Sequence, residues 1–183
     1  MIDRWFAAGV RSVAVVMLAA LAACGTPSRM ITLDDRDDAL EFQQSLKDYS
    51  NSVNDLLRDS RRGKAISDFS MGMLAYDILT SVSSVDRGLY GYFTAGGEDI
   101  EGYLKTRFQN KPDEEIAALD KLNGDQMSPV LRSVARNTLD ALAHIPDAHD
   151  PPAVQRASRT QLENALQQTK ASLDKAAEDV RIP

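Results

Sequence analysis

The chain's two histidines, His144 and His149, lie five positions apart, and Asp147 and Asp150 share the same short stretch before Pro151-Pro152. Imidazole and carboxylate together form the ligand set of a zinc site. The spacing matches no metal motif, however, and the chain has no third histidine to close such a site. His144 and His149 are the only metal-ligand candidates, and their stretch reads first as a turn joining two helices. Neither a metal nor another cofactor is expected.

Other clusters offer contact more than catalysis. Asp34, Asp35, Asp37 and Asp38 could attract a cation, but carboxylates at helical spacing without carbonyl ligands make poor coordination geometry. Arg58, Arg61, Arg62 and Lys64 could meet lipid phosphates or an acidic partner; at the end of a helix they also complement the negative pole of its dipole. Tyr90, Tyr92 and Phe93 stand so close in sequence that no single helix face buries all three, so one ring is expected either at the surface, where it could form an interaction patch, or as a plug at the bundle end. Glu114 and Glu115 point in different directions on a helix, and Thr94-Ala95-Gly96-Gly97 lacks the lysine and the strand of a phosphate loop. The chain is not expected to be an enzyme.

One residue carries an address. Cys24 is the only cysteine, and it follows Leu21-Ala22-Ala23 at the end of an apolar run from Val13, with Arg4 and Arg11 ahead of it. That run is eleven residues long, the size of a signal-peptide core and short of the roughly twenty residues that span a bilayer. The pattern resembles the lipobox of bacterial lipoprotein signal peptides. The resemblance implies cleavage between Ala23 and Cys24, acylation of Cys24 on its sulfur and new amino terminus, and lipid anchoring to a membrane. Each buried methylene contributes about 0.8 kcal/mol, so three acyl chains would hold where one binds only marginally. Gly25, where enteric lipoproteins retained at the inner membrane carry an aspartate, implies the outer membrane with the domain facing the periplasm. The resemblance covers residues 1–25 and is silent on the remainder.

Composition bounds what is anchored. Loss of Arg4, Arg11 and Asp3 with the signal takes the net charge from −6 to −7. A net acidic chain argues against nucleic acid, whose phosphates require clustered Lys and Arg to release counterions, and against lying flat on anionic lipid by charge alone. With Cys24 acylated neither a thiol nor a disulfide remains, so the core must be stable without cross-links. Residues 1–23 read as a cleaved signal peptide, 24–31 as a lipidated tether and 32–183 as one helical domain. The extended tether reaches at most about 25 Å, which keeps the domain close to the membrane.

The periodicity predicts an all-α fold: an elongated antiparallel bundle of three long helices plus a segmented middle region. Phe42, Leu46, Tyr49, Val53 and Leu56 form the first stripe, opened by a capping box at Thr32 and closed by Gly63. A second helix is expected over 64–93, inward through Ile66, Phe69, Met73, Leu74, Ile78, Val82, Val85, Leu89 and Tyr92. Gly72, Gly88 and Gly91 within it suggest a close neighbour, with a break near Gly88 as the alternative, and Gly96-Gly97 ends it. Shorter helices follow over 99–109 and from Pro112 to before Asn123-Gly124, then a longer one over 126–144. The last helix takes Asp150 as its cap and carries Leu162, Leu166, Thr169, Leu173, Ala176 and Val180, with Val154 in phase. Tyr49, Tyr76 and Tyr103 read as half-buried, and no strand is expected. An alternative arrangement seams the first and last stripes against a second copy.

The function expected is that of a membrane-anchored, periplasm-facing helical lipoprotein. It would act by protein–protein contact as a scaffold or accessory factor of a cell-envelope assembly, through the outer faces of its first and last helices. One alternative is an inhibitor or immunity-type protein against a cell-wall enzyme, whose basic surface the acidic charge would steer. A second is a carrier of a small apolar ligand.

Overall fold

Asp35, not Thr32, starts the first helix: its side chain accepts the backbone N–H groups of Asp37 and Asp38 at 2.7 and 3.2 Å. The computed structural model describes residues 31–122 and 127–183. Ala23 and Cys24, the tether up to residue 30 and the Asn123-Gly124 break lie outside the described residues. Helix α1 (Arg36–Arg61) buries Phe42, Leu46, Val53 and Leu57. It ends where Gly63 turns to φ +78°. There Gly63 N–H donates to the Ser60 carbonyl at 2.8 Å and Lys64 N–H to the Asp59 carbonyl at 3.0 Å, a Schellman stop.

The helix expected over 64–93 is two helices, α2 (Asp68–Val85) and α3 (Arg87–Phe93). The break falls at Asp86, which takes an extended conformation and is buried. One carboxylate oxygen caps α3 by accepting Leu89 N–H at 2.9 Å; the other accepts Ser128 N–H at 2.7 Å. One side chain thus caps α3 and holds in place the residue before α6, far away in sequence. Of the three glycines expected to admit a neighbour, only Gly88 does so: a Cβ there would lie 3.0 Å from Met127. Gly72 and Gly91 face open space.

Helix α4 (Ile100–Tyr103) runs into a π-helical turn over Leu104–Phe108. Helix α5 (Pro112–Lys121) begins on its proline, as expected. Ser128 caps α6 (Pro129–Ala143), again with proline in the first turn, where its missing N–H costs nothing. The cap of α7 (Pro152–Asp179) is Pro151, with Pro152 at the first helical position; Asp150 lies one residue too early. The predicted α7 stripe is buried from Leu162 to Val180, whereas Val154 is exposed.

Four helices form the bundle. α1 and α7 run antiparallel, tied by Gln43 to the Ala177 carbonyl at 2.9 Å, Ser50 to Asp174 at 2.5 Å and Ser60 to Glu163 at 2.9 Å. α7 packs on α6, α6 on α2, and α2 on α1. The first and last stripes therefore seal against each other within one chain. α3, α4, the π-turn and α5 form an insert between α2 and α6.

The absence of strands expected from the sequence is corrected by a small pair. β1 (Ile31–Thr32) and β2 (Val180–Arg181) lie parallel, with Ile31 opposite Val180. Two residues are too few for an alternating pattern to show, and their pairing is set by the α1–α7 packing. Ile31 is buried, so it belongs to the folded body and not to the tether.

Candidate functional site

Helix α2 is apolar on two sides. Met71, Ala75, Ile78, Leu79 and Val82 face the core. A second stripe, Phe69, Met73, Tyr76 and Thr80, has its own steps of four, three and four residues and faces out. Phe69 is 77% exposed and Met73 48% exposed, although both were expected in the core. Helix geometry explains the difference: at about 3.6 residues per turn Phe69, nine residues before Ile78, lies on the opposite side of α2, and Met73 lies with it.

The outward stripe walls a groove of about 720 Å³. Leu104 and Phe108 of the π-turn form the opposite side, and Leu142, Ala143 and Ile145 at the end of α6 close one end. Gly72 lies in the wall with no heavy atom near the place of a Cβ. Tyr76 is shared with an adjoining hollow of about 490 Å³, lined also by Thr80, Tyr90, Thr94, Glu98 and Asp99. The charged lining of the two hollows is one-sided. Asp68, Glu98, Asp99 and Glu101 face a single cation, Lys105, which is already paired with Glu101. One Glu98 carboxylate oxygen accepts from Thr106 at 2.9 Å, while the other is buried without a hydrogen bond.

A clamp behind the π-turn fixes this wall. Arg107 stacks over the rings of Tyr92 and Tyr103, 5.1 and 4.7 Å from their centres. It also donates to the Tyr92 and Ala95 carbonyls and to the Glu115 carboxylate at 3.1 Å. Glu115 accepts the Tyr92 hydroxyl at 2.5 Å. Burial and the Glu115 hydrogen bond push the Tyr92 hydroxyl up to about 12. Burial drives the Tyr103 hydroxyl higher still. Burial also raises the Glu115 carboxyl, but hydrogen bonds from Tyr92 and Arg107 outweigh it and hold that group below its ordinary value. Leu104 and Phe108 thus line the groove while Tyr103 and Arg107 are held behind it, the kind of re-aiming for which π-turns are used at functional sites.

The residues singled out in the sequence scatter around this groove. Tyr90, 57% exposed, is the surface ring expected of its cluster; Phe93 is buried and Tyr92 is tied into the clamp. Tyr103 is fully buried, correcting its half-buried reading, because the insert folds over it. Arg58, Arg61, Arg62 and Lys64 are exposed at the α1–α2 turn, with Arg58 on Asp55 and Lys64 on Asp59. They lie outside the lining of the groove. His144 Nδ1 sits 2.8 Å from the Asp140 carbonyl, and His149 Nδ1 sits 2.9 Å from Asp147, so the two rings serve separate local contacts. Among the described residues there is no group of three or more His, Cys, Asp or Glu side chains arranged to hold a metal.

A scan against protein-family models finds no match, and searches of curated proteins and of solved structures find none either. Among the described residues no helix is long and apolar enough to cross a membrane.

Proposed function

We propose that this chain is a lipid-anchored, periplasm-facing contact protein, acylated at Cys24, that engages a protein of the cell envelope through the outward face of α2. The observation that carries this reading is the exposed Phe69–Met73–Tyr76 stripe beside an apolar groove. Large apolar side chains gathered in one exposed patch mark interaction sites, whereas scattered ones do not. This face replaces the outer faces of the first and last helices as the expected contact surface. α1 and α7 each contribute one isolated exposed aliphatic residue, Leu40 and Val154.

Position supports the assignment. Tyr49 of α1 meets Asp77 and Ser81 of α2, so at 1.5 Å per residue the 68–76 segment lies about 20 to 35 Å along α1 from its start. An anchor before Ile31 would therefore present the groove away from the bilayer. A second reading, a carrier of a small apolar ligand, draws on the 720 Å³ volume, which falls in the range of small-molecule pockets.

Photo-crosslinking in intact cells separates the two. A photoreactive residue at position 73 should give discrete protein adducts that are lost in Cys24→Ser. Lipid adducts alone would favour the carrier, and adducts unchanged in Cys24→Ser would remove the anchor from the reading. Palmitate labelling should disappear in the same variant.

A further inference from the structure

The groove and the hollow beside it have different chemistry, and Tyr76 joins them. The larger is floored by aliphatic and aromatic side chains for two turns of α2. The smaller offers two tyrosine rings with the carboxylates of Glu98 and Asp99. We propose that this face docks an amphipathic helix of a protein partner, its apolar stripe in the groove and a Lys or Arg in the hollow between Tyr76, Tyr90, Glu98 and Asp99. The proposal rests on the reading of the α2 face as the contact surface and names the chemistry of what covers it.

Three observations select this occupant. The Phe69, Met73, Tyr76 and Thr80 spacing is that of a helix-packing ridge, which meshes with a second helix presenting anchors at i, i+3, i+4 and i+7. The lining has four carboxylates and one cation, and that cation is spent on Glu101. An anionic partner would be repelled, and a basic one would approach faster. In the smaller hollow the carboxylates of Glu98 and Asp99 stand beside the rings of Tyr76 and Tyr90. A guanidinium or ammonium group there would balance those carboxylates and meet the faces of exposed tyrosines, where cations are attracted to the ring. Acyl chains would fill the groove but leave the carboxylates of the hollow without a counter-charge.

Two synthetic helical peptides with the same leucine stripe, one flanked by Arg and Lys and one by Glu, test the proposal against the folded domain. The cationic peptide is expected to bind at least tenfold more tightly, with affinity falling as salt rises. Gly72→Leu, which projects into the groove from a position with open space, should weaken it tenfold or more. Glu98→Gln should weaken the cationic peptide severalfold, reduce its salt dependence and leave the acidic one unchanged. Circular dichroism should show both variants folded. Equal affinities, binding insensitive to Gly72→Leu, or no binding of either peptide would overturn the proposal. The position-73 crosslinks are read separately: their persistence with neither peptide bound would leave a contact protein whose partner is not a cationic helix.

Discussion

The α1–α7 half and the α2–insert half are built from similar helices to opposite ends. In α1 and α7 each stripe finds the other, and the facing edges are tied by Gln43, Ser50 and Ser60. In the other half α2 has one more apolar face than the bundle can cover, and the chain between α2 and α6 spends its aromatics on a clamp beside that face. Saturated packing leaves one half no apolar face to cover, whereas surplus apolar surface is the feature on which the proposed contact rests. The ordering of effects follows from that contrast.

The largest effect is expected in the saturated half. Leu166→Asp places an unpaired charge at a fully buried position and should cost about 4 kcal/mol or more, unfolding much of the population. Its counterpart Phe69→Ser should change stability by no more than about 0.5 kcal/mol. Urea denaturation of both would break the comparison if the two costs were alike. Next comes Asp86→Ala, which uncaps α3 and leaves the Ser128 N–H without its acceptor; about 2 to 3 kcal/mol is expected, with Asp86→Asn retaining part of it.

The clamp gives a pH signature. Because the Tyr92 hydroxyl is raised to about 12 in the folded chain, its contribution is complete below the ordinary tyrosine value near 10 and is lost as pH climbs from there toward 12. Tyr92→Phe should remove that part of the alkaline melting profile. Glu115 has the opposite sign: its lowered value makes its contribution complete above the ordinary carboxylate range and lost as pH falls through its folded value. Glu115→Gln should flatten the acid limb. The smallest shift is a gain: Gly72→Ala relieves a helical glycine without a clash and should stabilise by up to about 1 kcal/mol.

Local signals made most of the bundle readable. Gly63, Pro112 and Pro129 act through their own backbone restrictions, and the α7 stripe repeats over five turns. Elements set by distant partners were not readable in that way. The β pair, the π-turn and the two bonds to Asp86 each depend on residues brought together only by the fold. Setting Phe69 and Met73 in phase with Ile78 and Val82 placed them inside, although their spacing with Tyr76 and Thr80 was visible as a second stripe. Arg107 and Glu115, eight positions apart, carried no pattern to connect them with Tyr92. Exposed tyrosine in the Tyr90 cluster was foreseeable because three adjacent rings cannot share one face.

The ladder between Ile31 and Val180 decides how the molecule bears tension. A pull on the segment before Ile31 does not peel α1 from its end, because the first paired residues pass it sideways into the close of α7. A pull on α2 would reach the same pair along the chain through α1 and, by packing, through α6 and α7. Both forces then run along the long axes of two interlocked rods, which must slide past one another before anything unzips.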